Sequence, residues 1–143
     1  MWRFGKRDLY DNPGEVLTGE VQNKRATDIE ERAARAIDKT DWDYRFRVRI
    51  SPQAGGLTEE WQNLPGEYEI DFLLYRGNTI WPILIDGEVS HFLALWQKVQ
   101  DEQRESVINA ALRKYGATPV KRVEFWWLAD QAKANRFFRS LLL

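Results

Sequence analysis

Polar and apolar residues alternate strictly from Tyr44 to Ile50. Phe46, Val48 and Ile50 take one side, and Arg45, Arg47 and Arg49 the other. A period of two is the pattern of a strand with one buried and one wet or ligand-facing side. Glu67 to Tyr75 reads as a second strand, with Tyr68, Ile70, Phe72 and Leu74 opposed to Glu69, Asp71 and Leu73. Arg76-Gly77-Asn78 makes a tight turn, and Ile80 to Asp86 is then apolar enough to be a central strand. Pro82 within it cannot donate to a ladder, which requires a bulge or a local edge. Val120 to Trp127 reads as a fourth strand.

A period near 3.6 marks the helices. Thr27-Asp28-Ile29-Glu30 has the form of a capping box, Thr27 capping and Glu30 reaching back. Ile29, Ala33, Ala36 and Ile37 share one face of the helix that follows. Glu30 sits at the edge of that face, whereas Glu31 is expected to point away. Residues 92 to 115 are mostly helical, with a stripe of Val107, Ile108, Ala111, Leu112 and Tyr115. Gly116 is a natural stop, with Pro119 beyond. Residues 130 to 142 form a final helix that turns Phe137, Phe138, Leu141 and Leu142 inward.

The expected order is helix, three strands, helix, strand, helix. Three strands in a meander, followed by a crossover helix and a fourth strand, predict an α/β (α+β) fold with a small mixed sheet flanked by helices. Residues 1–143 are read as one domain with a core over 27–127. An irregular arm over 1–23 could dock through Trp2, Phe4, Leu9 and Tyr10, with a turn at Asn12-Pro13-Gly14. The loop at 51–66, carrying Trp61, exceeds what a hairpin needs and could enter a groove or stack on a base, or equally be a plain surface loop with Trp61 tucked against the sheet. Trp81, Trp126 and Trp127 lie in expected strands with apolar neighbours and are read as core.

Composition narrows the function. Lys and Arg total 21 and Asp and Glu total 22, so a uniformly basic coat and an acidic tail are both excluded. Cysteine is absent and His91 is the single histidine, which excludes thiolate nucleophiles and sites needing two imidazoles. No apolar run approaches the ~20 residues of a membrane span. The first residues lack the apolar region of a secretory signal. The expectation is a soluble intracellular protein.

The chemistry is concentrated between Asp71 and His91. Asp71 lies in a strand that otherwise reads as core, and Asp86 follows at the end of the next strand. Asp86-Gly87-Glu88 puts two carboxylates at i and i+2, which share a face in extended chain. If the two strands pair as a hairpin, Asp71, Asp86 and Glu88 converge. Clustered carboxylates repel, and a hard divalent cation removes that penalty. The plainer alternative is that Asp86-Gly87 is only a turn and Asp71 pairs with an arginine.

Several short motifs occur in a set order. Thr27 and Glu30 come first. Tyr-x-Ile-Asp-Phe-Leu-Leu at Tyr68–Leu74 follows, then Ile-Asp-Gly-Glu and a His at Ile85–His91. Asp101-x-x-Arg104, Gly116 and Val120-Lys121-Arg122-Val123 complete the series. This order resembles the very-short-patch-repair-like branch of the PD-(D/E)XK nuclease superfamily. The resemblance implies a restriction-endonuclease-like αβββαβ core and hydrolysis of DNA phosphodiesters with Mg²⁺, for which Mn²⁺ would substitute. It implies Asp71 and Asp86 as metal ligands; Glu88, beside Asp86, is expected to complete or support the metal site. Glu30 would match the acid of the family's first helix. His91 would be a general base or phosphate donor, or else a plain polar residue after a turn. The lysine of the (D/E)-x-K element is absent, with Glu88 in its place. Relatives usually carry a Glu where Leu84 stands, so either a ligand has moved to Glu88 or the site is degraded.

A nuclease needs cations beside its acidic centre. Candidates for DNA contact are Arg45, Arg47 and Arg49 on one strand face, Lys121 and Arg122 on another strand, and Arg104 on the middle helix. Arg113, Lys114, Lys133, Arg136 and Arg139 add further charge. A stripe of arginines on a half-exposed strand is equally an ordinary solvated face. The leading expectation is thus a metal-dependent DNA endonuclease. It would nick alone and cut both strands as a homodimer or within a larger nuclease assembly, in the nucleoid or in association with a phage. Its rivals are an inactive nucleic-acid-binding module on the same fold and an α/β interaction protein unrelated to DNA. Glycoside hydrolysis by two carboxylates ranks last, because no sugar platform is evident.

Overall fold

The computed structural model of the chain describes residues 15–51, 56–58, 68–86 and 91–143, with backbone alone at 51, 56–58 and 91–101. In chain order these form β1 (Glu20–Val21), β2 (Lys24–Arg25), α1 (Asp28–Asp38), β3 (Asp43–Ser51) and β4 (Gly56–Thr58). β5 (Tyr68–Arg76), β6 (Thr79–Asp86), α2 (His91–Leu112), β7 (Lys121–Glu124) and α3 (Gln131–Leu141) follow. The architecture is mixed α/β; besides the expected helix, three strands, helix, strand and helix it holds a short hairpin before α1 and, within the segment expected as a loop over 51–66, the strand β4 paired with β3. No helix among the described residues is long and apolar enough to cross a membrane. The chain divides into two compact units, residues 41–125 and residues 1–40 with 126–143.

The first unit is a sheet in the order β4-β3-β5-β6-β7. β3 and β5 are antiparallel, pairing Phe46 with Phe72 and Val48 with Ile70. β5 and β6 form a hairpin whose last pair is Arg76 with Thr79. Gly77 makes the turn at φ 59°, a conformation that costs glycine nothing. β7 lies parallel to β6, which α2 makes possible by crossing over between them. Pro82 pairs with Leu73, yet the β6–β7 pairing begins only at Ile83. The edge facing β7 is therefore open at Pro82, which removes the demand for its missing N–H.

Phe46, Phe72, Leu74 and Ile83 are fully buried. The Phe72 ring centroid lies 5.1 Å from that of Phe46 and 5.5 Å from that of Tyr44. From α2, Ile108 and Leu112 pack with Leu73, Leu84, Val48, Ile50 and Ile70. Burying each such side chain contributes about 1.5–3 kcal/mol. Of the expected α2 stripe, Tyr115 is the exception: it falls in a 3-10 turn over Arg113–Tyr115 and is exposed. Gly116 then ends the helical run in the left-handed region, at φ 71°.

In the second unit, α1 begins with the expected capping box. Thr27 Oγ1 accepts from the Glu30 N–H, and Glu30 Oε1 accepts from the Thr27 N–H. Ala33, Ala34, Ala36 and Ile37 are buried, and α1 packs against α3. α3 is capped by Asp130, whose Oδ1 accepts from the Lys133 N–H at 2.7 Å, and it buries Ala134 and Phe138.

Three expectations are corrected. The arm expected to be irregular over 1–23 includes β1, which pairs with β2 across Gln22-Asn23. Both turn residues have positive φ, the geometry that suits a two-residue hairpin. The arm's proposed anchors and the 12–14 turn lie outside the described residues. Glu31, expected to point away from the apolar face of α1, is not left open on that side but is 3% exposed. Its Oε1 accepts from the Gly19 N–H, and its Oε2 from the Thr18 N–H and Arg35 Nη2, so the segment before the hairpin closes over it. The fourth strand stops at Glu124, and Phe125–Leu128 is a 3-10 turn. Trp126 and Trp127 are consequently 52% and 44% exposed, not core.

Candidate functional site

Asp71 occupies an irregular point of the central strand. The β3–β5 register passes from Phe46↔Phe72 to Val48↔Ile70 and skips the position where Arg47 would face Asp71. Arg47 there has φ 56°, which costs a non-glycine residue on the order of 1–3 kcal/mol. On the other side, the β5–β6 register ends at Phe72↔Ile83. Beyond that pair the Asp71 side chain takes over: its Oδ2 accepts from the Ile85 N–H at 2.7 Å. The Asp71 carboxylate is thus tied to the β6 backbone one residue before Asp86. A backbone donor fixes the carboxylate's orientation more tightly than a mobile side chain could.

Asp86, the last residue of β6, meets Arg122. Arg122 Nη2 lies 2.6 Å and Nε 3.2 Å from Asp86 Oδ1. The parallel register, with Leu84 beside Arg122, puts the arginine within reach of the strand end. Arg122 Nε also lies 3.8 Å from Glu105 Oε1 on α2. Both Arg122 contacts with Asp86 fall on Oδ1, so Asp86 Oδ2 is not engaged by this arginine. About a quarter of each side chain of the pair remains exposed, so the pair is a modest stabiliser.

The other expected site residues are distributed as follows. Glu30 belongs to the α1 unit, where its carboxylate serves the cap. Arg45 is exposed and Lys121 is half-buried. Arg49 Nη2 pairs with Glu69 Oε2 at 3.1 Å, and Arg47 Nε lies 3.9 Å from Glu69 Oε1. The Arg47 guanidinium also covers the Phe46 ring, 5.1 Å from its centroid. Arg104 donates to the Glu69 carbonyl and so ties α2 to the start of β5. Glu88 and Trp61 lie outside the described residues. His91 opens α2, and its side chain is likewise outside them.

Sequence reasoning missed the role of Glu69 and the partnership of Arg122 with Asp86. Glu69 stands two residues before Asp71 on the same strand side, a signal that was available. The Arg122 pairing depends on a parallel register that no local pattern encodes.

Asp71 and Asp86 offer hard carboxylate oxygens, the donor type that suits Mg²⁺ or Mn²⁺. Among the described residues, no group of three or more acidic or histidine side chains stands ready as a metal cage. The fit is therefore one of the donor chemistry of two carboxylates; Glu88, the expected third, lies outside the described residues. No family model matches the chain, and no curated protein or solved structure matches it.

Proposed function

We propose that the chain is a metal-dependent DNA endonuclease with the restriction-endonuclease-like fold, its site built on the open end of the β5–β6 hairpin. One observation carries this reading. Asp71 sits where the regular pairing lapses, with its carboxylate bound to the backbone beside Asp86. A carboxylate placed for stability alone would not need the adjoining strained Arg47.

In this reading Asp71, Asp86 and Glu88 hold Mg²⁺. When bound, the ion lowers the pKa of a water and offsets charge on the leaving oxygen. The Ile85 N–H keeps the Asp71 carboxylate oriented before substrate arrives. Arg122 balances the charge of Asp86 and presents a guanidinium toward a phosphate. His91, at the start of α2, takes or gives a proton or holds a phosphate oxygen. Arg45, Arg47, Arg49, Arg104 and Lys121 supply the positive field that an acidic centre needs next to DNA. Glu30 is left to its cap.

The test is cleavage of supercoiled plasmid and of branched or mismatched duplex with Mg²⁺, with Mn²⁺ and with EDTA. Cutting should require metal and should vanish in Asp71→Ala and in Asp86→Ala. Metal-dependent cutting that survives both substitutions would remove these residues from the site.

A second reading is favoured by Arg122. A guanidinium on Asp86 neutralises the charge a cation would otherwise neutralise, as expected of an inactive nucleic-acid-binding module on the same fold. That reading predicts no cutting under any condition, together with DNA affinity that is indifferent to EDTA. Absence of both cutting and affinity would leave an α/β interaction protein unrelated to DNA.

A further inference from the structure

The C-terminal unit carries an aromatic and basic surface that the nuclease reading does not use. Among the described residues, Trp126 and Trp127 are two of the few large apolar side chains left exposed, at 52% and 44%. They are adjacent in the 3-10 turn that leads to α3. Trp127 is stacked on Phe137 of α3, with centroids 5.4 Å apart and planes at 30°. Phe137 in turn meets Phe138 edge-on at 5.3 Å, and Phe138 is fully buried. The Trp127 ring is therefore backed on one side by a rigid stack anchored in the core. Much of its remaining surface is open to solvent. Two adjacent tryptophans left exposed on a folded surface forgo the burial their rings would otherwise gain, which marks the patch as an interaction site.

The surrounding charge says what kind. α3 carries Lys133, Arg136 and Arg139 and no acidic residue. All three cations are exposed. Among the described residues, none of the three forms an ion pair. Lys133 stands one turn before Phe137 and so shares its side of the helix, and Arg136 adjoins it. The nearest acid in sequence, Asp130, is committed to the helix cap. An apolar protein partner would gain nothing from unpaired cations around the rings. A membrane surface would meet a patch only one short helix wide. Unpaired bases satisfy both features: each offers a π-face to the ring and a phosphate to the cation.

We infer that Trp126, Trp127 and Phe137, with Lys133 and Arg136, form a stacking platform for single-stranded nucleic acid. The inference stands apart from the nuclease reading, because stacking requires neither metal nor Asp71.

The experiment uses the full chain and a fluorescein-labelled oligo(dT), with binding followed by anisotropy in EDTA. Trp127→Ala should weaken binding about fivefold or more, the loss of one base–aromatic stack. Trp127→Phe should restore most of it. Lys133→Ala with Arg136→Ala should flatten the log–log salt slope by about 0.7 for each phosphate contact removed. Arg136→Glu, at an exposed site, should weaken binding while leaving circular dichroism unchanged, which guards against a Trp127 variant that fails to fold. Failure of the wild type to bind the oligomer would overturn the inference. So would equal binding by wild type, Trp127→Ala and Arg136→Glu. Loss of self-association in Trp127→Ala with oligomer binding intact would make the patch a dimer face instead.

Discussion

Glu31 shows how one side chain can organise a segment distant from it in sequence. Its carboxylate accepts from the Thr18 and Gly19 N–H groups at 2.9 and 2.7 Å and pairs with Arg35 at 2.8 Å. Removing it would leave two backbone donors and a cation without their acceptor. Arg35 is partly exposed and keeps the Val16 carbonyl, so the main cost is the unsatisfied backbone donors, about 1–3 kcal/mol each. Glu31→Ala should therefore lower the urea midpoint strongly, and Glu31→Gln less, because one carbonyl oxygen remains to accept. A loss under about 1 kcal/mol for the alanine variant would show that water replaces the carboxylate without cost. Helical periodicity placed Glu31 away from the apolar face and said nothing of a second covering, because it counts only one such face. The second covering, by residues 15–25, arises from a hairpin too short to leave a pattern. Asp71 was easier to single out as a charge amid Ile70, Phe72, Leu73 and Leu74, although pairing with an arginine was the plainer reading of it. Its bond to the Ile85 N–H was not legible, because it depends on where the ladder ends.

At the scale of elements, the strands with a clear period of two emerged as read. β3 extends one residue beyond its expected bounds at each end, and β5 runs one residue past its expected end at Tyr75. The fourth strand fared worse for a physical reason. Val123-Glu124-Phe125-Trp126-Trp127 holds too little alternation to separate a buried strand from a tight turn. The turn won, and two tryptophans moved from expected core to surface. The α2 terminus, by contrast, was announced by Gly116. With φ at 71° and no atom within 4 Å of the place a Cβ would take, Gly116→Ala meets no clash. Its whole cost is conformational, about 1 kcal/mol. Thermal unfolding should show that modest loss, and Gly116→Asn should recover part of it, since Asn tolerates the left-handed region. A cost of several kcal/mol would mean that Gly116 does more than end the helix.

For the whole molecule, the relevant fact is that one unit is continuous in sequence and the other is not. α1 and α3 pack together although all of residues 41–125 separates them. Phe138→Ala should cost about 3–5 kcal/mol locally. Amide exchange followed by mass spectrometry should accelerate in α1 as well as α3. Amides of β5 and β6, flanked by strands on both sides, should remain the slowest and shift little. Uniform acceleration everywhere would show that the units open as one. The same discontinuity has a consequence during synthesis. As the chain emerges, α1 is complete long before α3 exists, and the segment made between them can collapse on its own contacts. Throughout that interval Ala33, Ala36 and Ile37 have no helix to lie against. A polypeptide halted anywhere within the sheet unit would carry a naked apolar helix, and would meet chaperones or proteases rather than persist as a smaller working protein.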